Sequence, residues 1–335
     1  MLAPPWIPIP PPRYGGIEAV VALLTDRLVK LGIDVTLFCA PGSWSNAPMV
    51  HTLRHAYDKK IHNSMFEVDH VLQALKYARR GFDVIHDHTQ VGLALSHYGA
   101  HVPLIHTMHN GHAKERGEFY CRHSGCAHLV AISNAQRKTA PKGLKVAATI
   151  YNPIDLEEWP FVDHKSEYVL WVGNFNKDKG AHRAIQACAT AKKRLILAGP
   201  VQPGQETYYK NEIEPYIDHN WVRYVGEIGG VRKKMLFANA AAFLMPILWN
   251  EPFGMVMVEA LACGTPVISF PWGAATEIVI DGVNGYQVAD VAAMAEALSD
   301  LSGISPADCR ETVETRYDPY TIAEDYAALY ERAVN

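Results

Sequence analysis

The stretch that most limits what this chain can become runs from Ala240 to Phe270. It reads AAAFLMPIL, then WNEPFGMVMVEALACG, then TPVISF. Short, unbroken apolar runs of this length read as buried strands. The middle piece carries the marks of a helix: Pro252 and Phe253-Gly254 at its start, no breaker from Met255 to Cys263, and Gly264 followed by Thr265-Pro266 at its stop. A helix that opens straight after a strand points its unpaired N–H groups beyond the sheet edge, where a phosphate is the natural guest. Glu251 stands just before that opening and Glu259 a little over one turn inside it. Carboxylates repel a diphosphate, so this pair is expected to address neutral hydroxyl groups, a sugar on one side and a ribose on the other.

The same alternation runs through the rest of the chain. Strand-like segments DVTLFCA, DVIHDH, PLIHTMHN, LVAIS and AATIYNPID are separated by helical stretches such as FEVDHVLQALKYARRG, and YVLWVGNFNKDKG, RLILAGP and WVRYVGEIGG continue the pattern. Strands alternating with helices predict parallel, doubly wound sheets, with ligand crevices at the carboxyl ends of the strands. At 335 residues the chain is long enough for two domains, each with its own core. A net charge of -4 without a basic run argues against a nucleic-acid partner. The basic pairs Lys59-Lys60 and Arg79-Arg80 read as solvated surface, which keeps any membrane contact peripheral. No apolar run approaches the ~20 residues of a membrane span. Cys39, Cys121, Cys126, Cys188, Cys263 and Cys309 show no disulfide-framework spacing, and MLAPPWIPIPPP lacks a charged start, so a reducing, cytoplasmic setting is expected. Cys121, His123, Cys126 and His128 crowd together, but their spacing does not match paired zinc ligands, and no metal site is expected.

Glu251 and Glu259, seven residues between them and EPFG opening the pair, resemble the signature of the retaining GT-B glycosyltransferases of family four, the glycosyl transferases group 1. The likeness covers nearly the whole chain, specific in the second half and looser in the first. It implies an α/β GT-B fold, two Rossmann-like doubly wound domains facing each other across a cleft. Residues 1–155 would form the acceptor-side domain and 156–317 the donor-binding domain, with the helix at 318–335 packing back on the first. The joint YNPIDLEEWPF resembles the family's Asn-Gly-Val-Asp linker, and closure on a donor would hinge there and near 316–320. The implied activity is metal-independent transfer of a hexose-type sugar, with retention, from a UDP- or GDP-type donor to an acceptor hydroxyl. Whether that acceptor is a carbohydrate, a lipid-linked molecule or a small molecule stays open.

The resemblance also assigns residues. Gly15 and Gly16, ahead of the helix IEAVVALLTDRLVKLG, fit the loop used against the donor phosphates and acceptor. His109, where PLIHTMHN ends, fits the histidine facing the transferred sugar. Lys179 fits the lysine of the diphosphate clamp, with Gly254 and Met255 offering backbone to the same group. Ile228, with Glu227, falls where the base is read through backbone groups, and Phe253 belongs to the helix-opening motif. Glu251 would hold sugar hydroxyls and Glu259 the ribose. ISFPWGAATEIVIDGVNGYQV carries the family's Glu-Ile-Val and Asp-Gly-x-x-Gly-Tyr elements.

Two departures stand out. Asn174 occupies the position of the clamp's arginine. An asparagine gives a neutral hydrogen bond of about 1 kcal/mol where a charged one gives about 1.5 to 3, so transfer is expected to be weakened unless Lys177, Arg183 or Arg13 supplies the charge. The opening MLAPPW is only a stub of the family's first strand, which normally begins several residues earlier, and a weak edge of the first sheet is expected. Asn174 keeps a nucleotide-sugar binding protein with little turnover in view, and a sugar-nucleotide epimerase or hydrolase on the same fold is a further alternative. A dinucleotide oxidoreductase is disfavoured, since no Gly-x-Gly-x-x-Gly follows a first strand.

Overall fold

The computed structural model describes residues 1–12, 15–57, 63–78, 81–95 and 102–335, without the side chain of Cys126. Arg13, Lys59-Lys60 and Arg79-Arg80 therefore lie outside the described residues. The chain divides into two compact units, Met1–Ile154 with Tyr317–Asn335, and Asp155–Arg316.

In the first unit the strands are β1 (Leu37–Phe38), β2 (Met49–Val50), β3 (Ile85–Asp87), β4 (Leu104–Met108), β5 (Ala127–Ala131) and β6 (Val146–Thr149). The helices between them are α1 (Gly16–Lys30), α2 (Ser64–Ala78), α3 (Gly92–Leu95), α4 (Lys114–His123) and α5 (Asn134–Lys138). β3 to β6 pair in parallel in chain order, and β1 pairs with β2. The N-terminal stub joins the two groups. Leu2 bridges Phe38 on one side and Asp87 on the other, and its N–H and C=O bond to His86 O and His88 N at 2.8 and 2.9 Å. The expected weak edge is thus corrected: the stub lies inside the sheet, and it is held because both of its sides find strand partners. Counting it as the first strand, the order is 3-2-1-4-5-6-7, the Rossmann order with a seventh strand at its edge.

In the second unit the strands are β7 (Tyr168–Val172), β8 (Arg194–Ala198), β9 (Val222–Tyr224), β10 (Ala242–Met245), β11 (Val267–Ser269) and β12 (Gly285–Gln287). All pair in parallel in the order β12-β11-β10-β7-β8-β9, the same Rossmann order. Its helices are α6 (Ala181–Ala191), α7 (Glu206–Glu212), α8 (Gly230–Asn239), α9 (Met255–Ala262), α10 (Ala275–Ile278), α11 (Val291–Ser299) and α12 (Pro306–Arg316). Strands buried on both faces need apolar side chains throughout, and β10 with β11 supplies them: Ala242 to Met245 and Val267 to Ser269 are all buried. Trp171, Phe175, Leu197 and Leu244 anchor the core on one side of this sheet.

The last helix, α13 (Pro319–Val334), belongs to the first unit. Asp318 caps it by accepting from Thr321 N at 2.8 Å, and Pro319 opens its first turn. Its apolar stripe, Ile322, Tyr326, Leu329 and Tyr330, is buried with Val21, Leu24 and Leu28 of α1. Among the described residues no helix is long and apolar enough to cross a membrane.

Candidate active site

In a doubly wound sheet the crevice forms where the strand order reverses, because the two central loops there leave in opposite directions. In the second unit that point lies between β7 and β10. The loop after β7 carries Asn174 and Lys179, and the loop after β10 carries Trp249 and Glu251. The fold brings the two loops into contact. Lys179 Nζ donates to Glu251 Oε2 at 2.6 Å and lies 4.8 Å from the centre of the Trp249 ring. The backbone that presents the lysine is itself pinned: Lys179 N donates to Asn176 Oδ1 at 2.8 Å, and Trp171 Nε1 donates to Lys179 O at 3.2 Å.

Glu251 is positioned by two glycines. Gly254 has φ 84 and ψ 65, a left-handed conformation that spares α9 a strained cap, and an added Cβ would come within 2.7 Å of Met257 Cε. Gly273 (φ 58) lies so close to the Glu251 backbone that a Cβ would meet its nitrogen at 2.3 Å. No side chain caps α9 at Gly254, three residues after Glu251, so the N-cap residue's side chain takes up none of the helix's first N–H groups. Phe253 is 2% exposed; its ring serves the core, and only its backbone can reach a ligand.

Glu259 is buried further along α9, and its Oε1 accepts from Lys233 Nζ at 2.6 Å. Its Oε2 is also buried and makes no hydrogen bond among the described residues. A buried acceptor left unpaired costs about 1–3 kcal/mol, so this carboxylate is poised to take a hydroxyl donor. Lys233, which neutralises it, was not singled out in the sequence; its only signal is a place in the amphipathic run GGVRKKMLFANA. Ile228 is buried just ahead of α8.

Asn174 is half-buried, and its side chain makes no hydrogen bond among the described residues. Of the cations expected to compensate for it, Arg183 Nη1 donates to Pro246 O at 2.8 Å, and Lys177 is exposed. Burial also draws the Arg183 pKa below its ordinary value.

In the first unit His109 follows the end of β4, half-buried, with its Nε2 2.8 Å from Nδ1 of His88. Burial, reinforced by His106, takes the His109 pKa down to about 3, so the ring is neutral. Around it, His86 Nε2 lies 2.8 Å from Thr107 Oγ1, whose other neighbour is the Tyr326 hydroxyl at 2.9 Å. His106 Nδ1 lies 2.7 Å from Asp87 Oδ2. Gly15 caps α1 and Gly16 opens it. A Cβ on Gly15 would meet Pro11 Cβ at 2.6 Å and Glu18 Oε2 at 2.9 Å. The Glu18 carboxyl therefore folds back on the glycine turn, and its burial raises its pKa to about 7. Among the described residues no three His, Cys, Asp or Glu side chains gather as a metal site.

Comparison with known proteins gives the family. The family model for glycosyl transferases group 1 matches residues 157–311, and that for glycosyltransferase family 4 matches 14–158. Glycogen synthase of Mycobacterium tuberculosis is 30% identical over 205 residues, covering 56% of this chain and 49% of that protein; the chain thus spans about half the length of this relative. Among solved structures, AviGT4, a glycosyltransferase involved in avilamycin A biosynthesis, is 26% identical with a TM-score of 0.74, over 99% of this chain and 96% of its own. Anabaena HepE, solved with UDP and glucose, is 20% identical with a TM-score of 0.76, over 95% and 97% of the two chains. Two matching family models that together run from residue 14 to 311, on two Rossmann-like units, place the chain among the GT-B glycosyltransferases of group 1.

Proposed function

We propose that the protein moves a hexose-type sugar from a nucleoside diphosphate sugar to an acceptor hydroxyl, with retention of anomeric configuration and without a metal ion. The observation that carries the reading is the Lys179–Glu251 pair, 2.6 Å apart beside the uncapped start of α9. An ammonium has three donors; one is spent on Glu251, which leaves two for oxygens of a departing diphosphate. Glu251 in turn offers an acceptor to sugar hydroxyls. Glu259, already neutralised by Lys233, suits the ribose rather than a cation.

In this reading the bond between the anomeric carbon and the diphosphate oxygen breaks while the acceptor oxygen bonds the same carbon from the same face. The acceptor's proton passes to the leaving phosphate. Negative charge builds on the leaving oxygens, and preorganised donors there are worth more than any other single device. Lys179 and the N–H groups at Gly254-Met255 fill that role, so no metal is called for. HepE, with UDP and glucose bound, favours a uridine nucleotide over a guanosine one as the first donor to try.

A thermal-shift screen of UDP, UDP-glucose, GDP and GDP-mannose, each with and without EDTA, tests this directly, because a ligand bound to the native state raises Tm by mass action. The expected result is a rise with a nucleotide sugar that EDTA does not remove. No rise with any of them would sink the reading. Release of free nucleotide, or formation of an isomerised sugar, with no acceptor needed would instead mark a hydrolase or epimerase.

A further inference from the structure

The two acids of the motif share a device. Each is paired with a lysine 2.6 Å away, and each lysine lies against a tryptophan ring: Lys179 of the Glu251 pair at Trp249, Lys233 of the Glu259 pair at Trp159. Two of the chain's seven tryptophans thus stand at these two ammonium groups. Trp159 belongs to no part of the motif. It follows the short helical turn Leu156–Glu158 at the start of the second unit, half-buried, with its ring centre 5.6 Å from Lys233 Nζ. Phe237, the other ring near that ammonium at 6.0 Å, sits one turn further along α8 and travels with the lysine. Among the described residues, only Trp159 brings a ring to Lys233 from a different element.

The place of Trp159 is tied to the helix that carries Glu259. Arg310 Nη1 donates to Trp159 O at 2.9 Å and to Ala262 O, at the end of α9, at 2.7 Å, while its Nη2 donates to Leu156 O at 3.0 Å. Ring and carboxylate therefore share one frame. A lysine is a point charge on a flexible stem and can settle on either oxygen of a carboxylate or bridge the two. A ring face attracts a cation and limits where it rests. Here the ammonium rests on Glu259 Oε1 at 2.6 Å, while Oε2 is buried and makes no hydrogen bond among the described residues. Lys234 also approaches the Trp159 ring, at 5.9 Å, but its own ammonium is paired with Glu158.

We propose that Trp159 is a positioning residue whose ring holds the Lys233 ammonium on Glu259 Oε1, so that Oε2 stays open as an acceptor for the hydroxyl groups of a nucleotide's ribose. The inference rests on the ribose reading of Glu259 above, whereas the hold rests on contacts inside the second unit alone. A carboxylate neutralised on one oxygen and open on the other favours a ribonucleotide over one that lacks ribose hydroxyls. Trp159 sets that choice through Lys233 and Glu259.

The test uses the full chain with ¹³C-labelled lysine. An aromatic ring displaces the NMR signals of groups over its face, and a Lys233→Met spectrum assigns the Lys233 ε-methylene. Its signal is expected upfield of the other lysines in the free wild type and should move back toward them in Trp159→Leu. Should that variant not fold, Trp159→Phe, with its smaller ring, is read in its place and should move the signal part of the way. An ordinary Lys233 signal in the wild type, or one that neither variant moves, overturns the proposal whether or not any nucleotide binds.

Calorimetry with UDP and with 2′,3′-dideoxy-UDP then reads the consequence. The wild type should prefer UDP about tenfold, the worth of hydroxyls on a charged acceptor. Trp159→Leu should bind UDP about fivefold more weakly and dideoxy-UDP as before, while Trp159→Phe should keep most of the preference. A preference unchanged in Trp159→Leu, or an equal loss for both nucleotides, gives Trp159 a role other than placing Glu259 and overturns the proposal. If the wild type binds the two equally, or binds neither, it is the donor reading that fails; the ribose role of Trp159 fails with it, while the lysine spectrum still decides the hold.

Discussion

The two units share a strand order and set their polar residues at the same ends of their sheets, yet they equip those ends in opposite ways. In the second unit the polar groups carry formal charge and come as ion pairs, Lys179 with Glu251 and Lys233 with Glu259, each 2.6 Å apart. The lysine side chains keep 27% and 23% of their surface in solvent. In the first unit the ends of β3 and β4 carry imidazoles and hydroxyls, of which His86 and His88 are dry and held neutral by burial, with the Asp87 side chain fully buried beside His106. The contrast is one of physical chemistry. A half-solvated ammonium can trade water for the oxygens of an anion, whereas a dry, neutral network recognises by the direction of its hydrogen bonds. In the proposed function the first suits a diphosphate.

The largest test of that contrast is acid. A histidine whose folded pKa lies below its unfolded value of about 6.5 contributes stability that is complete above 6.5 and is lost as pH falls toward the folded pKa. His70, fully buried, is lowered to about 4 by desolvation. At pH 5 it should cost the native state about 2 kcal/mol, and His86, His88 and His109 act in the same direction. All four lie in the first unit. Hydrogen exchange followed by peptide mapping from pH 7 to 5 should show that unit losing protection first; simultaneous loss, or earlier loss in the second unit, would break the comparison.

Next in size is Lys179→Ala. Removing the charged donor should lower kcat for sugar transfer about 10²- to 10³-fold, read with saturating donor once a substrate is in hand, while His109→Asn should cost less. A Lys179→Ala enzyme within threefold of wild type would end the role given to this lysine.

Glu18 supplies a smaller effect of opposite sign to the histidines. Its folded pKa of about 7 is raised above the carboxylate value of 4.5 by burial. Its penalty is absent below 4.5, grows as pH rises through the interval, and is complete above 7. Glu18→Gln should therefore gain about 2 to 3 kcal/mol over wild type between pH 5 and pH 8, measured by urea unfolding at both. Equal gains at the two pH values would show that the carboxyl is not held neutral by the fold.

The smallest predicted change is Asn174→Arg. Restoring a charged fork should raise donor turnover roughly ten- to thirtyfold, the equivalent of ~1 to 2 kcal/mol. No gain would mean that another group already meets that need.

Much of the second unit was legible in the sequence because its signals are local. The run from Ala240 to Phe270 set a buried strand, a glycine-started helix and another buried strand, and the structure has β10, α9 and β11 there. Gly254 read as a helix start, and its left-handed φ of 84 explains why a glycine stands there. The first unit gave less. The stub MLAPPW read as an edge but lies between two strands, because burial on both sides depends on where residues 38 and 86–88 come to rest. Trp249 and Lys233, each against a residue of the motif, left almost no trace, since their importance comes from a neighbour 70 or 26 residues away along the chain.

What the sequence determined alone is the alternation of strand and helix, the position of α9, and the two acids Glu251 and Glu259 at its start and within it, since periodicity, breakers and caps act over a few residues. The tertiary structure decided the partners: Lys179 on Glu251, Lys233 on Glu259, His88 on His109. The ladders of parallel strands set those meetings, because each loop's place is fixed by the register of a strand whose neighbour arrives from elsewhere in the chain.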